Sequence, residues 1–385
     1  MLTVTGRWTA VATTGALAAG WLLGYGELLV LGLGGVAALL LASLWMLARP
    51  NVTVVREIHP VRVRQGEECH GVLTITNRSP RRSPPIVAVE QVSGRAVWIP
   101  VPSLAAGASS RVEYLLPTDR RGVHLVGPLT VGHADPLRLL SAARPMATQS
   151  VLTVHPAWQA VPPMPLGRSR NLDGPTTEAA PQGGIAFHSL REYRAGDDRR
   201  LIHWRSSART GTLMVRHLVV PTEPRTVIVL DGQAAAYVGD AFEAAARVAA
   251  SLAVSLVSGN FPLDLRLTDG RRETAGSGAD AGRRALDLLA AVVPSGDDPG
   301  LQALAGLDLI GPQDEGVSLT VVTGSAGGAA VQVLPRVRAR FELITLVQVG
   351  PRAAGAAAGV LGGVVTLPVQ DSDEFALAWT RVASR

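Results

Sequence analysis

The chain has 385 residues, long enough for two folded domains with additions. Hydrophobic residues make up 47% and charged residues 17%, a balance that leans toward a membrane for part of the length. All 36 basic residues behind the net charge of +5 are arginine, which excludes a lysine-bearing phosphate loop, and the single cysteine, Cys69, excludes an intramolecular disulfide and a cysteine-built zinc site.

The exclusive use of arginine is read as codon economy in a GC-rich genome in preference to selection for phosphate binding. Between Arg7 and Glu27 lie 19 consecutive uncharged residues, and between Glu27 and Arg49 another 21. Each run is close to the ~20 residues that cross a ~30 Å hydrocarbon core as a helix. Gly24-Tyr25-Gly26-Glu27 supplies a reversal, and Trp8, Trp21, Tyr25 and Trp45 fall near the expected ends. Arg7 before the pair, with Arg49 and Arg56 after it, places both termini in the cytoplasm by the positive-inside rule. The first run also has the look of a signal peptide; if it were cleaved, the second would stop transfer and leave the rest on the same side. Residues 1–50 are therefore expected to be a two-helix transmembrane anchor, inserted through residues 8–48.

From 51 to 155 the pattern has period two and frequent turns. Strands are expected at Val52–Val55, Gly71–Thr76, Ile86–Val92, Val97–Val101, Arg111–Leu116, His124–Val131 and Gln149–Val154. Short strands at that spacing, without helical pattern between them, predict an antiparallel β-sandwich of immunoglobulin-like architecture. Residues 156–183 hold six prolines and few apolar anchors, the composition of an extended linker.

Residues 184–224 carry the densest charge in the chain. From Arg191 to Arg216 there are seven arginines against three carboxylates, Glu192, Asp197 and Asp198, with Tyr193, His203 and Trp204 among them. Apolar residues recur between the charges, so a simple solvated run is not expected. Gly196-Asp197 reads as a turn, Asp197 or Asp198 as the cap of a short helix, Gly211 as its end and Leu213 as the start of a strand. The expected object is a strand–turn–helix–strand wedge whose arginines pair with its own carboxylates and join the two folded parts.

Residues 225–385 alternate strand and helix. Thr226–Leu230, Leu263–Leu267, Ser318–Val322, Leu343–Val347 and Val364–Leu367 read as strands, and Asp240–Ser258, Ala281–Val292 and Asp371–Ser384 as helices. Short connections between them predict a doubly wound parallel sheet covered on both faces. The eight histidines lack H-x-x-x-H or H-E-x-x-H spacing, and no Gly-x-Ser-x-Gly elbow is present, which argues against a zinc enzyme or a hydrolase of that type.

Arg191, Tyr193, Gly196-Asp197-Asp198, Arg200, Ile202, Trp204, Ala208-Arg209 and Leu213 fall in the spacing of the signature of the domain of unknown function 58 family, which the chain resembles. Arg121-Gly122, Gly127-Pro128 and Asp135-Pro136-Leu137 upstream agree with it. The resemblance implies a membrane-anchored partner of a MoxR-type AAA ATPase, with a von Willebrand factor A-like domain after the signature and no established reaction. In such domains the loop after the first strand reads Asp-x-Ser-x-Ser and binds a divalent cation. Here it reads Asp231-Gly232-Gln233-Ala234-Ala235, so both hydroxyl positions are lost and too few oxygen ligands remain, even with Thr323 leaning in from a later strand.

The expected whole is an α+β multidomain protein of a bacterial inner membrane, multi-pass, with the bulk of the chain cytoplasmic. Its expected role is binding, as an adaptor in assembly or maturation of envelope or secreted complexes. No enzyme, cofactor, metal or nucleic-acid partner is expected. Arg191, Tyr193, Gly196, Asp197, Asp198, Arg200, Trp204 and Arg209 are the candidate binding or structural residues, and Asp231 marks a degenerate metal-loop position. Two alternatives are a metal-dependent enzyme or metal-mediated binder centred on Asp231, and a basic scaffold for anionic lipid or polymer.

Overall fold

The computed structural model describes residues 1–47, 50–146, 149–163, 186–194, 201–219, 226–275, 279–306, 309–310, 316–324, 328–351, 359–361 and 363–383. The chain is a mixed α and β protein that divides into two compact units, residues 1–159 with 283–293, and residues 160–282 with 294–385.

The first unit begins with a helical hairpin. Thr3 caps α1 (Val4–Leu23), its hydroxyl oxygen accepting from the Gly6 amide at 2.9 Å. Gly24 ends the helix at φ 71°, a left-handed conformation that glycine takes without penalty. Helix α2 (Gly26–Met46) follows at once. Gly6, Thr13 and Gly20, seven residues apart, are the buried positions of α1. Gly32 and Gly35 face that seam: a Cβ at Gly32 would fall on Leu17, and one at Gly35 on Thr13. Small residues thus bring the two backbones together, while Trp8, Trp21, Leu31, Leu40 and Leu44 point outward and are exposed. Helix α2 is long and apolar enough to cross a membrane. Arg7, expected ahead of the first apolar helix, lies inside α1 because capping at Thr3 starts the helix earlier.

Nine strands complete this part: β1 (Val52–His59), β2 (Arg62–Arg64), β3 (His70–Asn77), β4 (Ile86–Val92), β5 (Arg95–Val101), β6 (Ser109–Leu115), β7 (Gly122–Ala134), β8 (Ser141–Met146) and β9 (Ser150–His155). One sheet runs β1-β3-β6 and the other β2-β9-β7-β4-β5, with β8 also on β7. Leu73 and Ile75 of the first sheet share a core with Ile86, Ile99, Leu129 and Leu152 of the second. Two strands depart from the expected set. The three-residue β2 pairs parallel with β9, so the second sheet is not wholly antiparallel. Strand β8, alanine-rich and carrying Pro145, is held because β7 is long enough to pair β9 over its first half and β8 over its second.

An ion pair lies within this core. Arg56 donates to Glu90 Oε1 at 2.7 Å, and both side chains are essentially inaccessible. Ser150 Oγ takes two further guanidinium contacts, at 3.3 and 3.1 Å, and the Tyr114 hydroxyl donates to Glu90 Oε2 at 3.0 Å. Burial, reinforced by the Glu90 charge and hydrogen bond, pushes the Tyr114 phenol well above its ordinary range. Gly71 makes room, since a Cβ there would strike the Tyr114 ring.

The second unit contains β10 (Ala186–Glu192), α3 (Trp204–Thr210) and β11 (Met214–Val219), then an α/β part. The latter comprises β12 (Thr226–Leu230), α4 (Ala241–Ser258), β13 (Leu263–Leu267), β14 (Arg272–Ala275), the start of α5 (Ala279–Ala291), β15 (Gly316–Thr323), α6 (Gly328–Val337), β16 (Phe341–Val349), β17 (Gly359–Leu361), β18 (Val364–Val369) and α7 (Ser372–Ala383). Its sheet order is β14-β13-β12-β15-β16-β18-β17. The five inner strands, those expected from the sequence, are parallel, and the edge strands β14 and β17, which were not expected, are antiparallel. Strands β12 and β13 are buried at every residue, as their continuous apolar reading requires. Helix α4 matches a membrane span in length and composition but is a core helix, burying Phe242, Ala249, Leu252 and Leu256.

Residues 283–293, mostly within α5, group with the first unit. There Asp287 receives Arg62 Nε at 3.0 Å and His155 Nε2 at 2.7 Å. The Arg121 guanidinium donates to the Leu289 and Val292 carbonyls, satisfying acceptors that the end of α5 leaves open. Of the expected linker, residues 164–183 lie outside the described residues. At its start Arg64 stacks 4.5 Å from the Trp158 ring, and the Trp379 indole donates to the Pro162 carbonyl at 3.1 Å.

Candidate functional site

Strand β12 has β13 on one side and β15 on the other, so the winding direction reverses beside it. In open α/β sheets the carboxyl ends of the strands at such a reversal form the crevice where ligands bind. Asp231 follows β12 there and is 2% exposed. Its Oδ2 accepts from the Thr323 hydroxyl at 2.7 Å, and its Oδ1 from the Gln233 amide at 3.0 Å. The Asp231 carbonyl accepts from the Tyr237 hydroxyl at 2.6 Å, and the Gly232 amide donates to Thr268 Oγ1 at 2.8 Å. A second buried carboxylate, Asp298, accepts from the Gly300 amide at 2.8 Å and stands where a Cβ on Gly232 would project.

Burial raises the Asp231 pKa, and the Asp298 charge adds to it, while the Gln233 amide and the Thr323 hydroxyl pull the other way without cancelling it. Burial likewise lifts the Tyr237 phenol, with Asp231 and Asp298 reinforcing it. Both oxygens of Asp231 are already in use by donors of the chain itself. The 3-10 turn Ala234–Ala236 closes the crevice from above, because a Cβ at Gly324 would fall on the Ala236 carbonyl. What remains is a cavity of about 150 Å³ walled by Ala236, Val238, Ala241 and Val349. Among the described residues no three His, Cys, Asp or Glu side chains form a group able to hold a metal. The geometry is that of a loop locked by its own hydrogen bonds. Thr323 leans in as its strand position suggested. Asp298, Thr268 and Tyr237 were not foreseen, because no motif marks them and only the sheet topology brings them to Asp231.

The signature segment forms a separate small structure. Strand β10 pairs antiparallel with β11, with a bulge between Phe187 and Ser189. The Tyr193 amide donates to the Leu213 carbonyl at 2.7 Å and the His203 amide to the Met214 carbonyl at 2.8 Å, which fixes α3 against the ribbon. Ile202, Ser207 and Val215 are the buried contacts, and Ser207 Oγ accepts from the Met214 amide at 2.8 Å. His203, not Asp197 or Asp198, caps α3, its ring accepting from the Ser206 amide. The helix begins at Trp204. Gly211 closes it at φ 74°, as expected of a left-handed C-terminal position.

The other side of α3 faces solvent. Trp204 is 67% exposed, and Arg205, Arg209 and Leu213 are exposed beside it. Trp204 and Arg209 thus lie on the outward side of α3, and the carboxylates expected to pair with Arg209 lie outside the described residues. The cause is local: Ser207 takes the inward face of the helix, and Ile202, just before it, bridges to Val215. Arg191 lies half-buried on β10 and donates to the Glu192 carbonyl at 3.2 Å, and Tyr193 is half-buried. Gly196, Asp197, Asp198 and Arg200 lie outside the described residues.

Solved structures similar to parts of the chain include the CARDB domain of a Pyrococcus furiosus protein in complex with di-metal ions, at 12% identity over 28% of this chain and 94% of that one, TM-score 0.21. A domain of a putative cell surface protein of Methanosarcina acetivorans matches at 20% identity over 27% and 91%, TM-score 0.20. The Pseudomonas fluorescens alkylpurine DNA glycosylase bound to abasic-site DNA matches at 16% over 32% and 40%, TM-score 0.19. Likenesses at these scores carry no further statement about this chain. No curated protein matches it. Residues 189–354 match the family described as protein of unknown function DUF58.

Proposed function

We propose that the chain is a membrane-anchored adaptor that binds a protein partner through the outer face of α3, the partner being a MoxR-type AAA ATPase. The observation that carries this reading is Trp204, held out to solvent between exposed arginines on a helix whose opposite face is pinned to a ribbon. Trp and Arg are the residues most enriched among those that dominate protein interfaces, and a rigid mount lowers the entropic cost of using them. The crevice at Asp231, closed by the chain's own groups, supports binding over catalysis.

In this reading α1 and α2 insert together as a two-span anchor of the bacterial inner membrane. Their outward faces are apolar, and their seam is built from the small residues that helices use to associate in lipid. The two-sheet part is then an immunoglobulin-like sandwich, the α/β part a von Willebrand factor A-like domain, and both lie on the cytoplasmic side. Co-purification with the ATPase tests the proposal. Folded Arg209→Ala and Trp204→Ala chains are expected to lose the association, and undiminished recovery of the ATPase by both would sink it.

A further inference from the structure

Beside the larger sheet of the first unit, at the end of α2, lies a cavity of about 680 Å³. Its walls include Trp45 from the last turn of α2, Val87 and Val89 of β4, and Trp98 of β5, the last 70% exposed. Arg138, exposed, stands in the loop that completes the cavity. Both ends of the helical hairpin reach this region. The Met1 amine donates to the Ser141 carbonyl at 2.8 Å and the Thr3 hydroxyl to the Arg138 carbonyl at 2.5 Å, while α2 arrives with Trp45.

His133 makes this more than an apolar hollow. It lines the cavity, is 6% exposed, and its Nε2 has no hydrogen-bond partner among the described residues. Burial favours the neutral ring, and the Met46 backbone at the end of α2 works against that. Asp135, buried in the same wall, cannot serve it: its two oxygens accept from the Leu137 and Leu140 amides at 2.8 and 2.5 Å. A buried ring nitrogen without a partner, in an apolar cavity at the foot of an apolar hairpin, calls for an amphiphile whose polar head supplies one.

We propose that this cavity holds one glycerophospholipid of the surrounding bilayer, its acyl chain against Trp45, Val87, Val89 and Trp98, its headgroup donor on His133 Nε2 and its phosphate at Arg138. The proposal rests on the anchoring part of the reading above and is independent of the protein partner. Phosphatidylethanolamine and phosphatidylglycerol carry headgroup donors, whereas phosphatidylcholine carries none, so this pairing on Nε2 predicts a headgroup preference.

The test uses the full chain in mild detergent, titrated with these three lipids of matched chain length and weighed by native mass spectrometry. One retained lipid per chain is expected, with phosphatidylethanolamine or phosphatidylglycerol favoured over phosphatidylcholine by about tenfold. His133→Leu should abolish the preference. Val87→Trp, at a half-exposed strand position, should fill the cavity and lower occupancy by about tenfold without changing the melting temperature. Equal retention by wild type and Val87→Trp would mean loosely bound surface lipid and would overturn the proposal, as would wild type showing no headgroup preference. Carbonate extraction of membranes reads the anchoring separately: a chain that resists extraction yet shows no Val87-dependent lipid refutes the cavity and leaves the anchor standing.

Discussion

Replacing Glu90 by alanine strands the Arg56 guanidinium in the core of the first unit. In the native fold Arg56 has Glu90 at 2.7 Å and Ser150 at 3.1 Å, with side-chain exposure of 1%. The alanine variant keeps the serine and loses the countercharge, and it also leaves the Tyr114 hydroxyl without its acceptor. Breaking a buried pair by removing one partner costs about 3–5 kcal/mol. For a unit of this size each kcal/mol moves the melting temperature by about 2–4 °C, so a fall of about 6–20 °C is expected. Arg56→Met combined with Glu90→Leu removes both charges at similar volume and should recover most of the loss. The assay is thermal unfolding of the full chain in detergent, with hydrogen exchange of β4 peptides assigning the transition to this unit. A single variant melting within about 2 °C of wild type, or a double variant no better than the single, would show that the pair is not buried as described.

Three further outcomes follow from other parts of the structure. Burial raises the Asp231 pKa above its unfolded value, so its contribution is fully present below the ordinary carboxylate range and is lost as pH rises through the folded pKa. Asp231→Asn should therefore melt no lower than wild type at pH 7, whereas Asp231→Ala, which strands the Gln233 amide and Thr323 hydroxyl, should lose about 1–3 kcal/mol for each; equal losses would show that the charge itself is needed. Asp287 has the opposite sign: burial works against its ionisation, but hydrogen bonds from His155 and Arg62 outweigh it and hold its pKa low. Its contribution is present above about pH 4 and lost as pH falls through the lower folded value, so melts taken from pH 7 to pH 3 should steepen at the acid end in wild type and flatten in Asp287→Asn. In the hairpin, Gly35→Leu should separate α1 from α2, because any Cβ there falls on Thr13; cross-linking between cysteines placed at Thr14 and Val36 should drop, and unchanged cross-linking would contradict the seam.

The strands of the first unit were legible because apolar residues alternate in them, and the helices of the second because apolar runs recur at helical spacing. Elements without such a pattern escaped: β2 is three residues long, β8 is Ala-Ala-Arg-Pro, β14 alternates charge rather than apolarity, and α6 contains Pro335. The polar cluster did leave a signal that was not used. Arg56 shares strand parity with Val52, Val54 and Ile58, and Glu90 with Ile86, Ala88 and Val92, so each charge sits on the inward face of its strand. Two opposite charges at inward parity are a pair waiting to meet. Asp231 was legible from its place at a strand end. Asp298 and Tyr237 were not, since their approach depends on how the sheet is wound. Trp204 was marked by the signature, but its outward direction depends on Ser207 taking the inner face of α3 while Ile202 pairs with the ribbon at Val215.

The central claim is that this outward tryptophan anchors a protein partner, and its dissociation constant is the most direct measure. Surface-immobilised full-length chain should bind a purified MoxR-type ATPase at least about tenfold more weakly after Trp204→Ala, with the melting temperature unchanged. Identical affinity for the two chains would mean that the exposed face of α3 is not where the partner docks.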